Sequence, residues 1–534
     1  MPLGVYVSRC RGATDVLDLD ALAKRFDDRA AVTRVVEDFF DTDVQRQLAA
    51  DIAEFGLDAL VLGGHSADHY ERALSGKLLR EALADAGVNR NRVIFANLLE
   101  QVARPHADDP EGAVNKASAI LEVAYLRATM SPAAEMTAVE PVRHVLVLGQ
   151  NSEAVVAAQR LLQLGFKVTI ADRGITPTAP SEARLVATTA FVSGHPNTTV
   201  LHDASVQDAS GWAGDFDVRL ATAGGDTTVK VGGILLAEPH NVDWVSELRG
   251  HFRVDVDDDG RARSIHPAAH PSETVDPGIM VVPLRTSSSQ LREKVSAADS
   301  AVLALTMLLS QPELHRFAEI SAVDEGLCGG CASCVKTCAF GACYIDAETG
   351  LSHVDARRCR GCGKCVVSCP VGARDIVNSP HHYLVEAIKS FARSDVKGSK
   401  VLGFLCGGCG YPAGDRAGEA AIETGRSYPA SFLPIRIPCG GRLDTLYVLE
   451  ALQEGFDGVM VFRCREGHCH NLIGNLDMDR RMNLLRTVLR SRRLDDSRLR
   501  IVDISPNEGE TFIDAVNDIF AQVGELHDLK GGAR

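Results

Sequence analysis

Short apolar runs alternate with amphipathic segments along the first 140 residues of the chain. Residues 3–7, 59–62 and 93–96 are apolar runs of the length that buried strands have. Residues 113–130 instead repeat their apolar positions at helical spacing. Because alternating strands and helices are typical of α/β layers, the pattern predicts an N-terminal α/β domain over residues 1–140.

A second α/β unit is predicted over residues 141–318. An apolar run at 144–148 is followed by an amphipathic segment at 153–164 and by a second apolar run at 167–171. This succession indicates one βαβ unit. Shorter strand-like runs follow it, and a helical pattern at 296–309 ends the unit.

The last predicted unit, residues 381–534, again has the α/β pattern. Four apolar runs separated by helical segments predict buried strands, and they lie at residues 401–405, 432–437, 459–462 and 499–504. Four leucines at three-residue spacing predict an apolar stripe on the first clear helix of this set, namely Leu443, Leu446, Leu449 and Leu452.

Composition and charge narrow the function. The chain has 534 residues, and its 56 basic and 71 acidic residues leave a formal charge of -15, which repels phosphate backbones and anionic lipid. Aromatic residues make up only 5%, so a stacking surface for nucleic acid is not expected. The N-terminus has no secretory pattern, and no segment approaches the roughly 18 apolar residues of a membrane span. We expect a cytoplasmic protein with no nucleic-acid partner.

Fifteen cysteines then need an explanation. One is Cys10, and the other fourteen all lie between Cys328 and Cys469. In a reducing cytosol cysteines are metal ligands more often than disulfides. Their concentration in one part of the chain therefore predicts localised metal chemistry.

Residues 319–380 carry the first cysteine group, in an internal duplication. The segments CGGCASCVKTCAFGACYID and CRGCGKCVVSCPVGARDIV share the spacing C-x2-C-x2-C-x3-C. Three closely spaced thiolates can bind three irons of a 4Fe–4S cluster, and in two-cluster ferredoxins the last cysteine of each motif binds the other cluster. The predicted ligand sets are Cys328, Cys331, Cys334 and Cys369 for one cluster and Cys359, Cys362, Cys365 and Cys338 for the other. The alternative is two zinc sites, which usually show separated C-x2-C pairs.

The second cysteine group follows the predicted strands of the last unit. In parallel sheets, ligands gather outside the carboxyl ends of the strands, so these cysteines are expected to converge on one metal site. The five are Cys406, Cys409, Cys439, Cys464 and Cys469. On cysteine pattern alone, a closed structural zinc site is the alternative to an iron–sulfur cluster.

The segment DVDDDG at residues 255–260 fits the start of a calcium-binding loop. The loop needs a bidentate glutamate at its twelfth position, where this chain has His266. An acidic hairpin turn is therefore predicted instead.

The last unit resembles the delta subunit of methyl-viologen-reducing hydrogenase. The resemblance covers most of residues 398–525 and is carried by FLCGGCGYPAGDRAG, IRIPCGGRLDTLYVLEALQEGFDGVMV and CREGHCHNLIGN. It implies one 2Fe–2S cluster that passes electrons to heterodisulfide reductase. Four of the five cysteines would then be ligands, and the sequence does not show which is spare.

Residues 1 to about 395 resemble the A-type subunit of heterodisulfide reductase in domain order, which is an N-terminal cluster domain, a flavin domain and a double ferredoxin. The resemblance implies a Rossmann-like domain for FAD at residues 141–318, in which Gly149, Asn151 and Asp172 would contact the cofactor. The glycine fingerprint is degenerate here, because Asn151 stands at the second glycine position. An empty scaffold is therefore favoured over bound FAD. Of the N-terminal cluster cysteines only Cys10 is present, so we expect a buried bystander there.

Three hypotheses follow for an α/β multidomain chain with a two-cluster ferredoxin module of the α+β class. In the first, two 4Fe–4S clusters and one 2Fe–2S cluster relay electrons between partner subunits of an oxidoreductase complex. In the second, the chain retains FAD and splits electron pairs. In the third, it is a zinc-stabilised scaffold without a redox role.

The partners that the resemblance implies are other redox subunits. Candidates are heterodisulfide reductase B- and C-like subunits, a hydrogenase, a formate dehydrogenase, or a substrate reductase acting on a folate or an acyl-CoA. The fused arrangement is also similar to the B-type subunit of the quinone-interacting oxidoreductase complex, so a quinone-linked partner is a further candidate. Neither the terminal donor nor the terminal acceptor can be read from this chain.

Overall fold

The computed structural model of the protein describes the greater part of the chain. The described residues are 1–72, 79, 83, 86–134, 136–173, 183–263, 270–283, 291–317, 320–377 and 379–531. Among them, no helix is both long enough and apolar enough to cross a membrane.

The N-terminal domain is a parallel sheet with helices, as its alternating pattern predicts. Its strands are β1 (Leu3–Ser8), β2 (Val32–Val36), β3 (Ala59–Gly64) and β4 (Val93–Asn97), and its main helices are α1 (Leu19–Lys24), α2 (Thr42–Phe55), α3 (Ala67–Arg72) and α4 (Pro110–Met130). The strands pair in parallel in the order β2-β1-β3-β4. Both β1 and β3 are buried along their whole length, which explains their continuous apolar runs.

The second unit is built around a five-stranded parallel sheet. Its elements are β5 (Met136–Val139), β6 (His144–Leu148), α5 (Ser152–Gln163), β7 (Lys167–Ala171), α6 (Ala183–Gly194), β8 (Thr198–Leu201), β9 (Ser205–Trp212), β10 (Asp215–Thr222), β11 (Gly225–Val231), β12 (Gly233–Leu236), α7 (Val242–Arg249), β13 (Asp255–Val256), β14 (Ala262–Arg263), β15 (Ile279–Val281), α8 (Leu291–Leu309) and β16 (Leu314–Phe317). The sheet order is β15-β12-β6-β7-β8, and β9–β11 form a separate antiparallel sheet. The predicted βαβ unit is confirmed as β6-α5-β7, with β6 parallel to β7.

Two features of this unit bear on the sequence predictions. The acidic hairpin is confirmed, since β13 pairs antiparallel with β14, while His266 lies outside the described residues. Helix α7 was not predicted among the strand-like runs. It is short, begins at an Asn241 cap, and buries only Trp244, Val245 and Leu248, which is too few positions for a clear helical period.

The ferredoxin module consists of short elements around its two cysteine loops. They are β17 (Ser321–Val323), α9 (Ser333–Thr337), β18 (Cys343–Ile345), β19 (Ser352–Val354), α10 (Lys364–Val367) and β20 (Arg374–Ile376). The outer strands β17 and β20 pair antiparallel and bring the two ends of the module together. Ala332 and Gly363 occupy matching positions before α9 and α10, and both have left-handed backbone geometry.

The C-terminal domain is a four-stranded parallel sheet. Its elements are α11 (His381–Arg393), β21 (Val401–Cys406), α12 (Gly410–Thr424), β22 (Phe432–Ile437), α13 (Thr445–Gln453), β23 (Gly458–Cys464), α14 (Gly474–Ser491), β24 (Leu499–Ile504) and α15 (Gly509–Gly531). The strands run in the order β22-β21-β23-β24, so the carboxyl ends of β22, β21 and β23 are neighbours. Helix α4 of the N-terminal domain packs into the core of this domain through Ala119 and Val123.

Only part of the predicted leucine stripe faces the core, since Leu443 is fully buried there and Leu452 packs against it. Helix α13 begins only at Thr445, and its buried residues are Tyr447, Val448 and Ala451. Leu446 is 59% exposed and Leu449 is 38% exposed. The prediction was wrong for Leu446 and Leu449, because the residues between the leucines form the buried face of the helix.

Candidate iron–sulfur sites

The first cysteine site joins the two ferredoxin motifs. Four cysteines line one small cavity, namely Cys328, Cys331, Cys334 and Cys369. Of these, Cys331 is exposed and Cys334 is buried. The structure therefore places Cys369, from the second motif, with the first three cysteines, and this is the grouping that the crossed ligand prediction requires.

The second cysteine site is the reciprocal of the first. Burial raises the pKa of Cys359 and Cys362, and Cys338, which lies with these cysteines of the second motif, adds to the increase. Cys343 hydrogen-bonds to both Cys338 and Cys365, and it lowers the pKa of Cys338 to about 5 and that of Cys365 to about 6. Burial raises the pKa of Cys362 to about 12, and the neighbouring thiolates add to the effect. This grouping has the donor chemistry of an iron–sulfur site.

Two residues outside the predicted ligand sets also shape this module: Cys343, which is buried as expected for a cysteine without a repeat partner, and Arg374, which the sequence did not single out. Cys343, which has no counterpart in the second motif, begins β18 and is 5% exposed. Arg374 is 3% exposed and donates from Nη2 to Cys334 Sγ at 3.4 Å, and it also contacts Ser352. Its guanidinium lies near Cys334, Cys343 and Cys365, between the two sites. A fixed cation here offsets the negative charge that thiolate-bound clusters carry.

The third site is formed by the five cysteines of the C-terminal domain. Each is at most 5% exposed, and hydrogen-bond contacts link their thiols in one continuous group: Cys406, Cys409, Cys464, Cys469 and Cys439. The five cysteine side chains lie together at the carboxyl ends of the strands, as the sequence predicts. Cys406 Sγ and Cys464 Sγ, which end β21 and β23, are 3.7 Å apart. About 3.4–3.8 Å is the separation of neighbouring donors around one tetrahedral metal ion.

Glycine residues of the C-terminal site bring the backbone close to the cysteine sulfur atoms. Gly410 and Gly441 donate their N–H groups to Cys406 Sγ and Cys439 Sγ, both at 3.4 Å. Such N–H···S bonds tune the reduction potential of a cluster. A Cβ at Gly474 would lie 2.4 Å from Cys439 Sγ and 3.5 Å from Cys469 Sγ. The residues present therefore fit an iron–sulfur cluster held by thiolates.

Replacing Gly474 by alanine is expected to empty the C-terminal site. The new methyl group would come within 2.4 Å of Cys439 Sγ, and overpacking of this kind costs about 1–3 kcal/mol. The iron and sulfide content of the purified variant, together with its thermal unfolding, measures the effect. Gly524→Ala is the matched control, because no atom lies within 4 Å of its Cβ position. Full iron content in Gly474→Ala would show that Cys439 is not held where the structure places it.

The second and third sites are in direct contact. Lys364, which lies between Cys362 and Cys365 in the chain, is fully buried and pairs with Asp477 of α14 at 2.6 Å. Its side chain packs on Gly441, two residues beyond Cys439, where a Cβ would come within 2.6 Å of Lys364 Cγ. The Cys362 thiol is close enough to raise the pKa of Cys439, although the Cys469 hydrogen bond and burial raise it more.

The predicted flavin residues occupy the expected places in the second unit. Gly149 follows β6 with a positive φ of 129°, Asn151 caps α5, and Asp172 follows β7. Each is engaged by the protein itself. Asn151 bonds the N–H of Ala154 and the carbonyl of Ala237, and Asp172 Oδ2 is 2.6 Å from His202 Nδ1.

Glu238 takes the position that a cofactor phosphate would need. Its Oε1 accepts the N–H of Gln150 at 2.9 Å, and its side chain lies against Gly149. A helix N-terminus after a glycine turn binds anions through such N–H groups, and here the protein supplies its own anion. The residues present therefore do not fit the diphosphate of FAD at this loop.

The protein purified with full iron content is expected to release no FAD on denaturation. Replacing Glu238 by alanine would uncover the Gln150 N–H, so binding of added FAD should appear in equilibrium dialysis. Asp243→Ala removes an exposed carboxylate nearby and serves as the control. Stoichiometric FAD in the native protein would contradict the role of Glu238.

The N-terminal domain offers one thiol. Cys10 is 5% exposed, and burial raises its pKa to about 11. It lies in the apolar core of the N-terminal domain, which is the buried position that the sequence predicts.

Comparison with known proteins shows similarity to two groups of proteins, namely hydrogenase iron–sulfur subunits and heterodisulfide reductase subunits. Residues 401–527 match the family model of the methyl-viologen-reducing hydrogenase delta subunit, and residues 351–373 match a 4Fe–4S binding domain. The D-type iron–sulfur subunit of the vhc F420-non-reducing hydrogenase from Methanococcus voltae is 36% identical over 124 residues, which are 23% of this chain and 83% of that protein. The corresponding vhu protein of Methanopyrus kandleri is 34% identical over 96% of its length, and the match covers 24% of this chain.

The other group matches at the N-terminal side. The A-type subunit of the ferredoxin/F420H2-dependent CoB-CoM heterodisulfide reductase of Methanosarcina acetivorans is 34% identical over 263 residues, which are 49% of this chain and 32% of that protein. The chain thus spans about a third of the length of the heterodisulfide reductase relatives that it matches. The N-terminal half of the chain is homologous to the A-type subunit of heterodisulfide reductase, and it is fused to the C-terminal domain. Through that C-terminal domain, the chain belongs to the family of the methyl-viologen-reducing hydrogenase delta subunit.

Proposed function

We propose that the protein is an electron-transfer subunit that relays single electrons through two 4Fe–4S clusters and one 2Fe–2S cluster. The clusters supply one-electron oxidation and reduction when bound, and the residues of the chain set their spacing, charge and exposure. The observation that carries the proposal is that the three cysteine sites form a continuous series, in which the second site contacts both the first and the third. Arg374 lies between the first and the second, and Lys364 with Gly441 joins the second to the third.

The exposed fractions of the cysteines indicate that electrons enter or leave the protein at the first site. Cys331 of the first site is exposed, and the flanking Leu327 and Val371 are each 55% exposed. All five cysteines of the third site are at most 5% exposed. A partner protein would therefore exchange electrons with the first site, where an apolar rim surrounds an exposed thiol.

The ligands proposed for this relay are those that the sequence predicts. Cys328, Cys331, Cys334 and Cys369 hold the first cluster, Cys359, Cys362, Cys365 and Cys338 the second, and the C-terminal cysteines the third. The partners are proposed to be redox subunits such as a hydrogenase, a formate dehydrogenase or heterodisulfide reductase B- and C-like subunits. The complex is proposed to be cytoplasmic.

Electron paramagnetic resonance of the reduced protein tests the relay. Clusters whose loops are in van der Waals contact interact magnetically, so the signals of the second and third clusters should be broadened or split when both are reduced. Three non-interacting signals would contradict the proposed order. Zinc without sulfide would favour the scaffold alternative, and stoichiometric flavin would favour the electron-splitting one.

A further inference from the structure

His470 stands at the edge of the third cysteine site and was not among the predicted ligands. It follows Cys469 directly, and its side chain is 3% exposed. Its Nδ1 lies 3.7 Å from Cys464 Sγ. The Cys409 thiol belongs to the same group, in which the nitrogen and both sulfur atoms all lie within 4.8 Å of one another.

The opposite nitrogen of the ring faces a buried carboxylate of the flavin-like domain. His470 Nε2 is 3.2 Å from Oδ1 of Asp255, whose side chain is 1% exposed. The two atoms face each other as an ion-pair contact, and neither has a hydrogen-bond partner in the described part of the chain. The other carboxylate oxygen, Oδ2, is occupied by Arg263 Nε at 2.8 Å.

This arrangement favours one tautomer of the imidazole. A carboxylate paired with a guanidinium is ionised, so Asp255 can only accept a proton from His470. The proton then resides on Nε2, and the lone pair of Nδ1 faces the sulfur atoms. Histidines that bind metals in proteins almost always turn their second ring N–H toward a carboxylate, a carbonyl or a water, and Asp255 is the carboxylate in that position here.

The distances also agree with ligation. Nitrogen and sulfur donors on one tetrahedral metal ion are about 3.6 Å apart, given metal–nitrogen and metal–sulfur bonds of about 2.0–2.3 Å. The observed 3.7 Å between Nδ1 and Cys464 Sγ is close to this value, and so is the 3.7 Å between Cys464 Sγ and Cys406 Sγ. The backbone makes room for the ring, since a Cβ at Gly408 would lie 2.3 Å from Nδ1.

We propose that His470 is a nitrogen ligand of the C-terminal iron–sulfur cluster and that Asp255 is its positioning residue. The proposal rests on the proposed function, in which this site holds iron and sulfide, and it replaces one of the four expected cysteine ligands by histidine. It also gives the flavin-like domain a role without flavin. This domain supplies Asp255, and its Arg249 donates to the carbonyls of Gly467 and Cys469 in the same loop, both at 3.2 Å.

Pulsed electron paramagnetic resonance with 15N-histidine tests the proposal on the native protein. Labelling should change the nitrogen hyperfine coupling of the reduced C-terminal cluster, and His470→Cys should abolish that coupling and lower the reduction potential, because histidine ligands raise the potential of 2Fe–2S centres. Asp255→Asn should alter the coupling without loss of iron.

The chain provides a matched control two residues away. His468 pairs with Asp258 of the same hairpin at 3.3 Å, but it does not belong to the group formed by Cys409, Cys464 and His470. His468→Gln and Asp258→Asn should therefore leave the coupling unchanged. Spectra of labelled and unlabelled protein that coincide, in a sample with full iron and sulfide, would overturn the proposal and leave the relay intact. A C-terminal site without iron and sulfide would overturn both.

Discussion

Replacing Cys369 by alanine is expected to expose the cysteines of the first motif to alkylation, although Cys369 itself belongs to the second motif. The reason is the crossed grouping, in which Cys369 lines the cavity of Cys328, Cys331 and Cys334. A 4Fe–4S cluster that has lost one thiolate ligand is labile, and the thiols that it releases react with the alkylating reagent once they are deprotonated. We expect the cluster of the first site to be lost while the second stays intact.

Anaerobic alkylation followed by mass spectrometry reads the result residue by residue. In Cys369→Ala, label should appear on Cys328, Cys331 and Cys334, while Cys359, Cys362 and Cys365 remain protected. Cys338→Ala should give the reciprocal pattern. Label on the second motif in Cys369→Ala would mean that each motif binds its own cluster, against the grouping in the structure.

Replacing both Cys406 and Cys464 by alanine is expected to remove the C-terminal cluster and to stop electron transfer through the chain. These two thiols end neighbouring strands at a separation of 3.7 Å, so their loss takes away the central pair of the donor group. The two 4Fe–4S clusters should remain, because their ligands come from a different part of the chain. Electron flow from a reductant at the first cluster to an acceptor that draws on the C-terminal cluster should fall to background.

The control for this variant is Cys10→Ser. Cys10 is as buried as the C-terminal cysteines but lies in the core of the N-terminal domain. Its replacement should leave iron content and electron flow unchanged. If the double variant kept its 2Fe–2S signal, Cys406 and Cys464 would not be ligands and the C-terminal site would need a different donor set.

The cysteine sites could be predicted from sequence because their spacing is set by covalent chemistry. The C-x2-C-x2-C-x3-C repeats fix which thiols share a loop, and strand ends in a parallel sheet meet at one edge. The strands β6 and β22 were likewise predicted with their observed bounds. Each of these features has a signal in the local sequence, either a fixed cysteine spacing or an apolar run.

Contacts between residues far apart in the chain could not be predicted in the same way. Asp255 was interpreted as part of an acidic hairpin, which is correct, but nothing in its local sequence shows that it faces His470, far along the chain. Glu238 contacts the Gln150 N–H only because β12 lies beside β6, and this long-range pairing has no local signal. The leucine stripe on α13 was mispredicted at Leu446 and Leu449 for a related reason, since only packing shows which face of a helix is buried.

Anaerobic determination of iron, acid-labile sulfide and zinc in the native protein tests the central claim most directly. Two 4Fe–4S clusters and one 2Fe–2S cluster predict about ten irons and about ten sulfides per chain, with little zinc. Stoichiometric zinc with no sulfide would contradict the claim, because the cysteines would then hold a structural metal that carries no electrons.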